Sequence, residues 1–154
     1  MLIAYTWLLE RIGNWIGGIL HPSARLEEPA PNLSPIQGKI AAGRVEEACA
    51  ELRQELSARP DQARAVRMLT DLYLQRKQDP AAALETVLAY LEREERKADE
   101  EAAFLVLRAS DCLLKLRRRD AAEDLLRNEL KRRIYTARER KTLQRRLASI
   151  AGQH

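Results

Sequence analysis

Aromatic residues are scarce in this chain of 154 residues: they make up 5% of it, and phenylalanine occurs only once. Glycine and proline each occur six times, which is fewer than turn-rich folds use. The commonest residues are instead alanine, leucine, glutamate and arginine, which favour helices, whereas β-branched residues are few. This composition excludes an all-β fold and predicts an all-α protein.

Cysteine and histidine, which bind zinc, are also scarce. Cys49 and Cys112 lie 63 residues apart, and the two histidines are His21 and His154. A structural zinc site needs about four nitrogen or sulfur ligands in clustered pairs, so we expect no metal site. Both cysteines fall on apolar helix faces, which predicts buried, reduced thiols in a reducing compartment. The sequence has no P-loop, GxGxxG, GxSxG or HExxH motif, and we expect neither an enzyme nor a cofactor.

Charge is distributed unevenly along the chain, whose net charge is +4. Residues 44–101 contain ten basic and fourteen acidic side chains, whereas residues 115–146 contain thirteen basic and five acidic ones. The basic part is interpreted as a solvated surface or as a contact for acidic protein, anionic lipid or RNA. RNA is the less favoured partner because few aromatic residues lie there to stack on bases.

The first 21 residues form an apolar stretch interrupted by Glu10, Arg11 and Asn14. These interruptions argue against a membrane-spanning helix, and the stretch also lacks the pattern of a secretory signal. Its polar residues follow one helical stripe, which predicts an amphipathic helix with a wide apolar face. The residues expected to make its contacts are Trp7, Leu8, Ile12, Trp15, Ile16 and Ile19. The surface that they cover is left open between the rest of the chain, a partner and a membrane.

Three prolines predict a linker over residues 22–33. Beyond it, apolar residues recur at helical spacing. Helices are predicted over about residues 34–42, 45–58, 62–76, 80–97, 100–117, 121–134 and 136–150. The predicted N-cap residues are Ser34, Asp79, Asp99, Asp120 and Thr136. Capping boxes are expected at the first and last of these, which have Gln37 and Glu139 three positions later.

A segment of the sequence recurs three times within these helices. Residues 43–56, 78–91 and 117–130 align without gaps, and each copy carries an alanine at the same place: Ala48, Ala83 and Ala122. The copies begin 35 and 39 residues apart. Because two helices approach closely only where side chains are small, these alanines are expected at helix crossings.

On these residues the chain resembles the tetratricopeptide repeat (TPR) family, whose unit is a helical hairpin of about 34 residues. Further matches to the family pattern are Thr70, Ser110, Tyr73 and Pro60. The resemblance covers residues 34–135 and implies an α-solenoid of about three degenerate hairpins. Residues 136–154 would then supply a capping helix and tail. A simple helical bundle is the alternative.

The resemblance also implies a partner-binding groove, formed by the first helix of each hairpin. The residues that map to this groove are Arg64, Arg67, Asp71, Phe104, Leu107, Arg108, Asp111 and Leu114. Its apolar members are expected to need cover from an amphipathic partner helix or from the N-terminal helix.

We therefore expect a non-enzymatic scaffold or adaptor that binds a partner peptide or helix in this groove. The alternative is a membrane-peripheral protein attached through residues 1–21 and its basic residues. Nucleic-acid binding through the basic C-terminal helices ranks third. The expected location is the cytoplasm, either free or on the inner face of a membrane.

Overall fold

Helices build the whole of the described fold. The computed structural model describes residues 32–93, 96 and 100–152, and no strand occurs among them. Seven helices occupy these residues: α1 (Ser34–Ala41), α2 (Val45–Ala58), α3 (Ala63–Gln75), α4 (Pro80–Leu91), α5 (Glu100–Lys115), α6 (Arg119–Lys131) and α7 (Ala137–Ala151). The prediction of an all-α protein is confirmed.

Some of the sequence-based predictions concern residues outside the described ranges. These are the amphipathic helix of residues 1–21 with its six contact residues, most of the linker over residues 22–33, and the N-cap at Asp99.

Two helix boundaries differ clearly from the prediction. Helix α4 ends at Leu91 rather than near residue 97. Residues 92–97 are all charged, so a longer helix would have no apolar face to pack. Helix α6 ends at Lys131 rather than near residue 134, because Arg132 is extended and Tyr135 turns into the core.

Two of the predicted N-caps are confirmed. The carboxylate of Asp79 accepts a hydrogen bond from the backbone N–H of Ala82 at 3.0 Å. At the start of α7, the Thr136 hydroxyl accepts from the Glu139 N–H at 3.3 Å. The Glu139 carboxylate accepts in return from the Thr136 N–H at 2.7 Å. The predicted capping box is therefore complete.

Two other predicted N-caps are wrong, because the helices begin earlier than expected. Helix α1 starts at Ser34 itself, and the buried residue Leu33 takes the N-cap position. Ser34 is therefore not the N-cap residue on which the expected capping box with Gln37 depends. Helix α6 starts at Arg119, which places Asp120 in its first turn. There the Asp120 carboxylate can still favour the positive end of the helix dipole.

The three aligned copies share a backbone turn. Gly43, Gln78 and Arg117 occupy the same place in the alignment and have φ angles of +75°, +53° and +58°. After the first and third of these residues, the next N–H reaches back five residues to a helix carbonyl: Arg44 to Lys39 at 2.9 Å, and Arg118 to Leu113 at 2.8 Å. This is the Schellman pattern, in which one left-handed residue ends a helix.

Fully buried side chains also recur at the aligned positions. Ala48, Ala83 and Ala122 are each 0% exposed. The residues four positions later are equally buried, and they are Leu52, Val87 and Leu126. Each copy thus contributes the same pair of small and large side chains to the core.

Helix α5 lies at the centre of the packing. Each helix packs against the next along the chain, and in addition α3 contacts α5 and α5 contacts α7. Four helices therefore surround α5. This explains its continuous apolar run, in which Leu105 and Val106 are fully buried and Phe104 and Leu107 are half-buried.

Candidate partner-binding surface

Helices α3 and α5 bring most of the predicted groove residues together. We call this the α3–α5 surface, and it consists of Arg67, Asp71, Phe104, Arg108, Asp111 and Leu114. Two predicted residues are less closely involved. Arg64 is exposed one turn before Arg67, and Leu107 is half-buried next to Arg108 in the chain.

The phenyl ring of Phe104 lies close to two guanidinium groups. The guanidinium carbon of Arg67 is 4.2 Å from the ring centroid, and that of Arg108 is 4.8 Å from it. Cations at this distance are attracted by the electron-rich face of an aromatic ring. Arg67 is also held by Glu101, whose carboxylate is 3.2 Å away. From the sequence we expected an apolar helix to cover Phe104. In the described structure, the guanidinium groups of Arg67 and Arg108 cover part of its ring instead.

A chain of ion pairs links α3, α5 and α7 across this surface. The Arg108 guanidinium on α5 lies 3.3 Å from the Asp71 carboxylate on α3 and 3.9 Å from Asp111 on its own helix. Asp111 in turn pairs with Arg146 on α7. Arg146 also lies 3.4 Å from the Ser110 hydroxyl, to which it donates a hydrogen bond. The charged side chains of the surface are therefore held in place before any partner arrives.

Arg146 is the contact residue that sequence reasoning missed, because it was grouped with the basic C-terminal residues. A signal for it existed in the spacing of α7. Leu143 and Ile150 are buried, and Arg146 lies between them at helical intervals on a neighbouring part of the inward side.

A cleft of about 360 Å³ opens where α3 and α5 end. Its lining combines the half-buried Leu74 and Leu114 with the polar side chains of Gln75, Asp111 and Lys115, beside Arg108. Such a cleft can accept one apolar side chain while offering charges of both signs to its neighbours.

A larger cleft of about 560 Å³ lies on another part of the molecule, between α2 and α4. Its apolar lining includes Val66, Leu69 and Tyr73 from α3. Within the described ranges, α2 and α4 do not contact each other, so α3 is exposed to the cleft between them. None of the predicted groove residues lines it.

A buried polar cluster ties the connection between α4 and α5 to the end of α6. The Arg96 guanidinium lies 2.7 Å from the Glu129 carboxylate, to which the Tyr135 hydroxyl also donates a hydrogen bond. Burial, together with this hydrogen bond to an anion, raises the pKa of Tyr135. Its three residues come from the α4–α5 connection, from α6 and from the turn before α7, so the cluster holds these parts of the chain together.

Both cysteines have the state predicted from the sequence. Cys49 and Cys112 are free and buried. Burial raises the pKa of each thiol, because the thiolate would lose its hydration in the core.

Residues 32–93, 96 and 100–152 contain neither a candidate metal site nor a candidate membrane-spanning helix. No group of three or more histidine, cysteine, aspartate or glutamate side chains there could hold a metal ion. No helix in these ranges has the length and apolar character needed to cross a bilayer. Comparison of the chain with protein-family models, with curated proteins and with solved structures finds no match.

Proposed function

We propose that this protein is a non-enzymatic, TPR-like scaffold that binds a partner peptide or helix along the α3–α5 surface. The observation that carries the proposal is the constant register between the two helices. Arg67 contacts Phe104 and Asp71 contacts Arg108, so both pairs join residues 37 positions apart. Two helices with a constant offset run parallel, as equivalent helices of successive hairpins do.

The repeated turns support the same arrangement. The left-handed residues Gly43, Gln78 and Arg117 precede α2, α4 and α6, which are the second helices of the proposed hairpins. The first helices are then α1, α3 and α5, and α7 continues their series as a cap through its contact with α5. Of this series, α3 contacts α5 and α5 contacts α7, so these three helices together provide an extended surface for a partner.

The chemistry of the surface suits a peptide or an amphipathic helix. The ion pairs of Asp71, Arg108 and Asp111 hold their side chains in position, so a partner would lose less freedom in ordering them. The cleft next to them offers Leu74 and Leu114 to an apolar side chain. A helix laid in a groove makes this combination of contacts, with apolar anchors and a polar rim.

Selection from a displayed library of random peptides, followed by affinity measurement on the selected peptides, tests the proposal. Leu114→Asp places a charge in the cleft and is expected to weaken binding of the selected peptides at least tenfold, because the apolar anchor would meet a carboxylate. Lys115→Glu reverses the charge of an exposed residue of the same cleft. It is expected to weaken the binding of those selected peptides that carry an acidic group, because the new carboxylate would repel it.

The matched control is Leu88→Asp, which places the same charge at a half-buried leucine of α4, in a different cleft. It is expected to leave peptide binding unchanged. Far-UV circular dichroism shows whether each variant keeps its helices. Equal binding by the wild type, Leu114→Asp and Lys115→Glu would refute the proposal, as would a library that yields no ligand.

A further inference from the structure

The outward side of α7 carries cations and no carboxylate. Arg138, Lys141 and Arg145 follow one another at intervals of three and four residues and are all exposed. At about 100° per residue they form one stripe, which faces away from the buried Leu143 and Ile150. The stripe is about 10 Å long, since a helix rises about 1.5 Å per residue.

Two more exposed cations lie just before α7 in the chain: Lys131 ends α6, and Arg133 lies in the turn between α6 and α7. We call the five residues the α7 cationic surface, and they are Lys131, Arg133, Arg138, Lys141 and Arg145. Within the described ranges, none of the five has a carboxylate within 4.0 Å.

In contrast to these five cations, three neighbouring arginines are each close to a carboxylate. Arg127 pairs with Glu123 at 2.7 Å, Arg132 lies 3.5 Å from Glu129, and Arg146 pairs with Asp111. The single carboxylate of α7, on Glu139, is held in the capping box at the start of the helix. Like charges three and four residues apart destabilise a helix. The unpaired stripe therefore opposes folding, and a bound anionic surface would remove that opposition.

We propose that the α7 cationic surface binds the anionic face of a lipid bilayer. Its stripe of Arg138, Lys141 and Arg145 lies on the outward side of α7, where these charges can reach several headgroups at once. Single-stranded RNA needs aromatic side chains for stacking, and the aromatic residue of this region, Tyr135, is buried. This inference is independent of the α3–α5 surface.

The sequence also favours a bilayer as the anionic partner. Residues 1–21 have the pattern of an amphipathic helix with a wide apolar face. One weak signal gives only marginal attachment to a membrane, whereas an apolar segment and a basic surface together can give stable attachment.

Vesicle flotation of the full-length protein tests this inference. The two vesicle types are phosphatidylcholine alone and phosphatidylcholine with about one third phosphatidylserine, each at low and at physiological salt. The variant Arg138→Gln/Lys141→Gln/Arg145→Gln is expected to lower partitioning onto the anionic vesicles by about 100-fold, at about 1 kcal/mol per removed cation. Wild-type binding should also weaken as salt rises, because salt screens exposed charges.

The matched control is Arg53→Gln/Arg76→Gln/Arg118→Gln, which removes three exposed cations outside the α7 surface. Both triple variants have the same net charge, so a general charge effect would lower their partitioning equally. The inference predicts that the control stays within about threefold of the wild type, since its α7 surface is intact. Because all six residues are exposed, circular dichroism should show unchanged helix content.

Two results would overturn the inference. One is equal partitioning of the two triple variants onto anionic vesicles. The other is loss of binding to an RNA oligonucleotide in the α7 variant while its vesicle binding stays at the wild-type level, which would assign the surface to nucleic acid.

Discussion

Two glycines, one inside the first described helix and one in the turn that follows it, allow a sharp test of the turn geometry. Gly38 lies within α1, and Gly43 lies in the turn after it with a φ of +75°. Apart from its own local backbone, a Cβ atom added at either position would meet no atom of the described structure within 4 Å. Alanine at the two positions therefore differs only in the backbone conformation that it must adopt. We predict that Gly43→Ala destabilises the protein and that Gly38→Ala stabilises it.

The magnitudes follow from backbone energetics. A left-handed conformation costs an L-residue about 1–2 kcal/mol. Alanine recovers about 0.4–1 kcal/mol of this, because it has less freedom than glycine in the unfolded chain. Gly43→Ala should therefore lower the free energy of unfolding by about 1 kcal/mol. In the interior of a helix, alanine stabilises the folded state relative to glycine by about 0.5–1 kcal/mol. Gly38→Ala should therefore raise the free energy of unfolding by about 0.5–1 kcal/mol.

Urea unfolding followed by circular dichroism at the helical band measures both free energies, with an unchanged dependence on urea for each variant. Because α1 is the first described helix and could open by itself, amide hydrogen exchange within α1 should be measured in parallel. Stabilisation by Gly43→Ala would refute the reasoning, since it would mean that residue 43 does not need a left-handed conformation. Destabilisation by Gly38→Ala would refute the other half of the prediction.

Four further predictions concern the core and the other turns. Arg117→Gly should raise the free energy of unfolding by about 0.5–1 kcal/mol, because Arg117 holds the same turn with a φ of +58°; a decrease in urea unfolding would contradict this. Leu126→Ala should lower that free energy by about 2–5 kcal/mol, since Leu126 is 0% exposed, and a loss below 1 kcal/mol would contradict its burial. A thiol reagent at about pH 8 should leave Cys49 and Cys112 unmodified in the folded protein and modify both in urea, because burial raises the pKa of each thiol; rapid reaction of either folded thiol would contradict this. Tyr135→Phe should make the loss of stability above about pH 10 shallower, because the unfolded tyrosine ionises there whereas burial raises the pKa of the folded one; equal slopes of unfolding free energy against pH would contradict it.

Local patterns in the sequence predicted the helices and their spacing well. The boundaries of α2 agree residue for residue, and the N-caps at Asp79 and Thr136 form as expected. These features depend on residues within a turn or two of one another, which the sequence displays directly. The errors at Ser34 and Asp120 arose where the chain enters a helix one or two residues earlier than its best capping side chain.

The candidate surface shows what local patterns could not predict. The helical spacing of α5 placed Phe104, Arg108 and Asp111 on one side, but it could not show that the phenyl ring lies between two arginines. Nor could it show that Arg146 reaches Asp111 from α7. The contacts of Arg67 with Phe104 and of Asp71 with Arg108 join residues 37 positions apart, so they exist only once α3 and α5 pack together.

The sequence by itself determined the all-α class, the three aligned segments and the identity of the buried alanines, because helix periodicity and backbone preference are local properties. Only the tertiary structure decided which charges are paired and which remain exposed. It set the cations of α3 and α5 against Phe104 and the nearby carboxylates, and it left those on the outward side of α7 without a carboxylate. The reason is physical: an ion pair between helices depends on the distance and angle at which their faces meet, and core packing sets both.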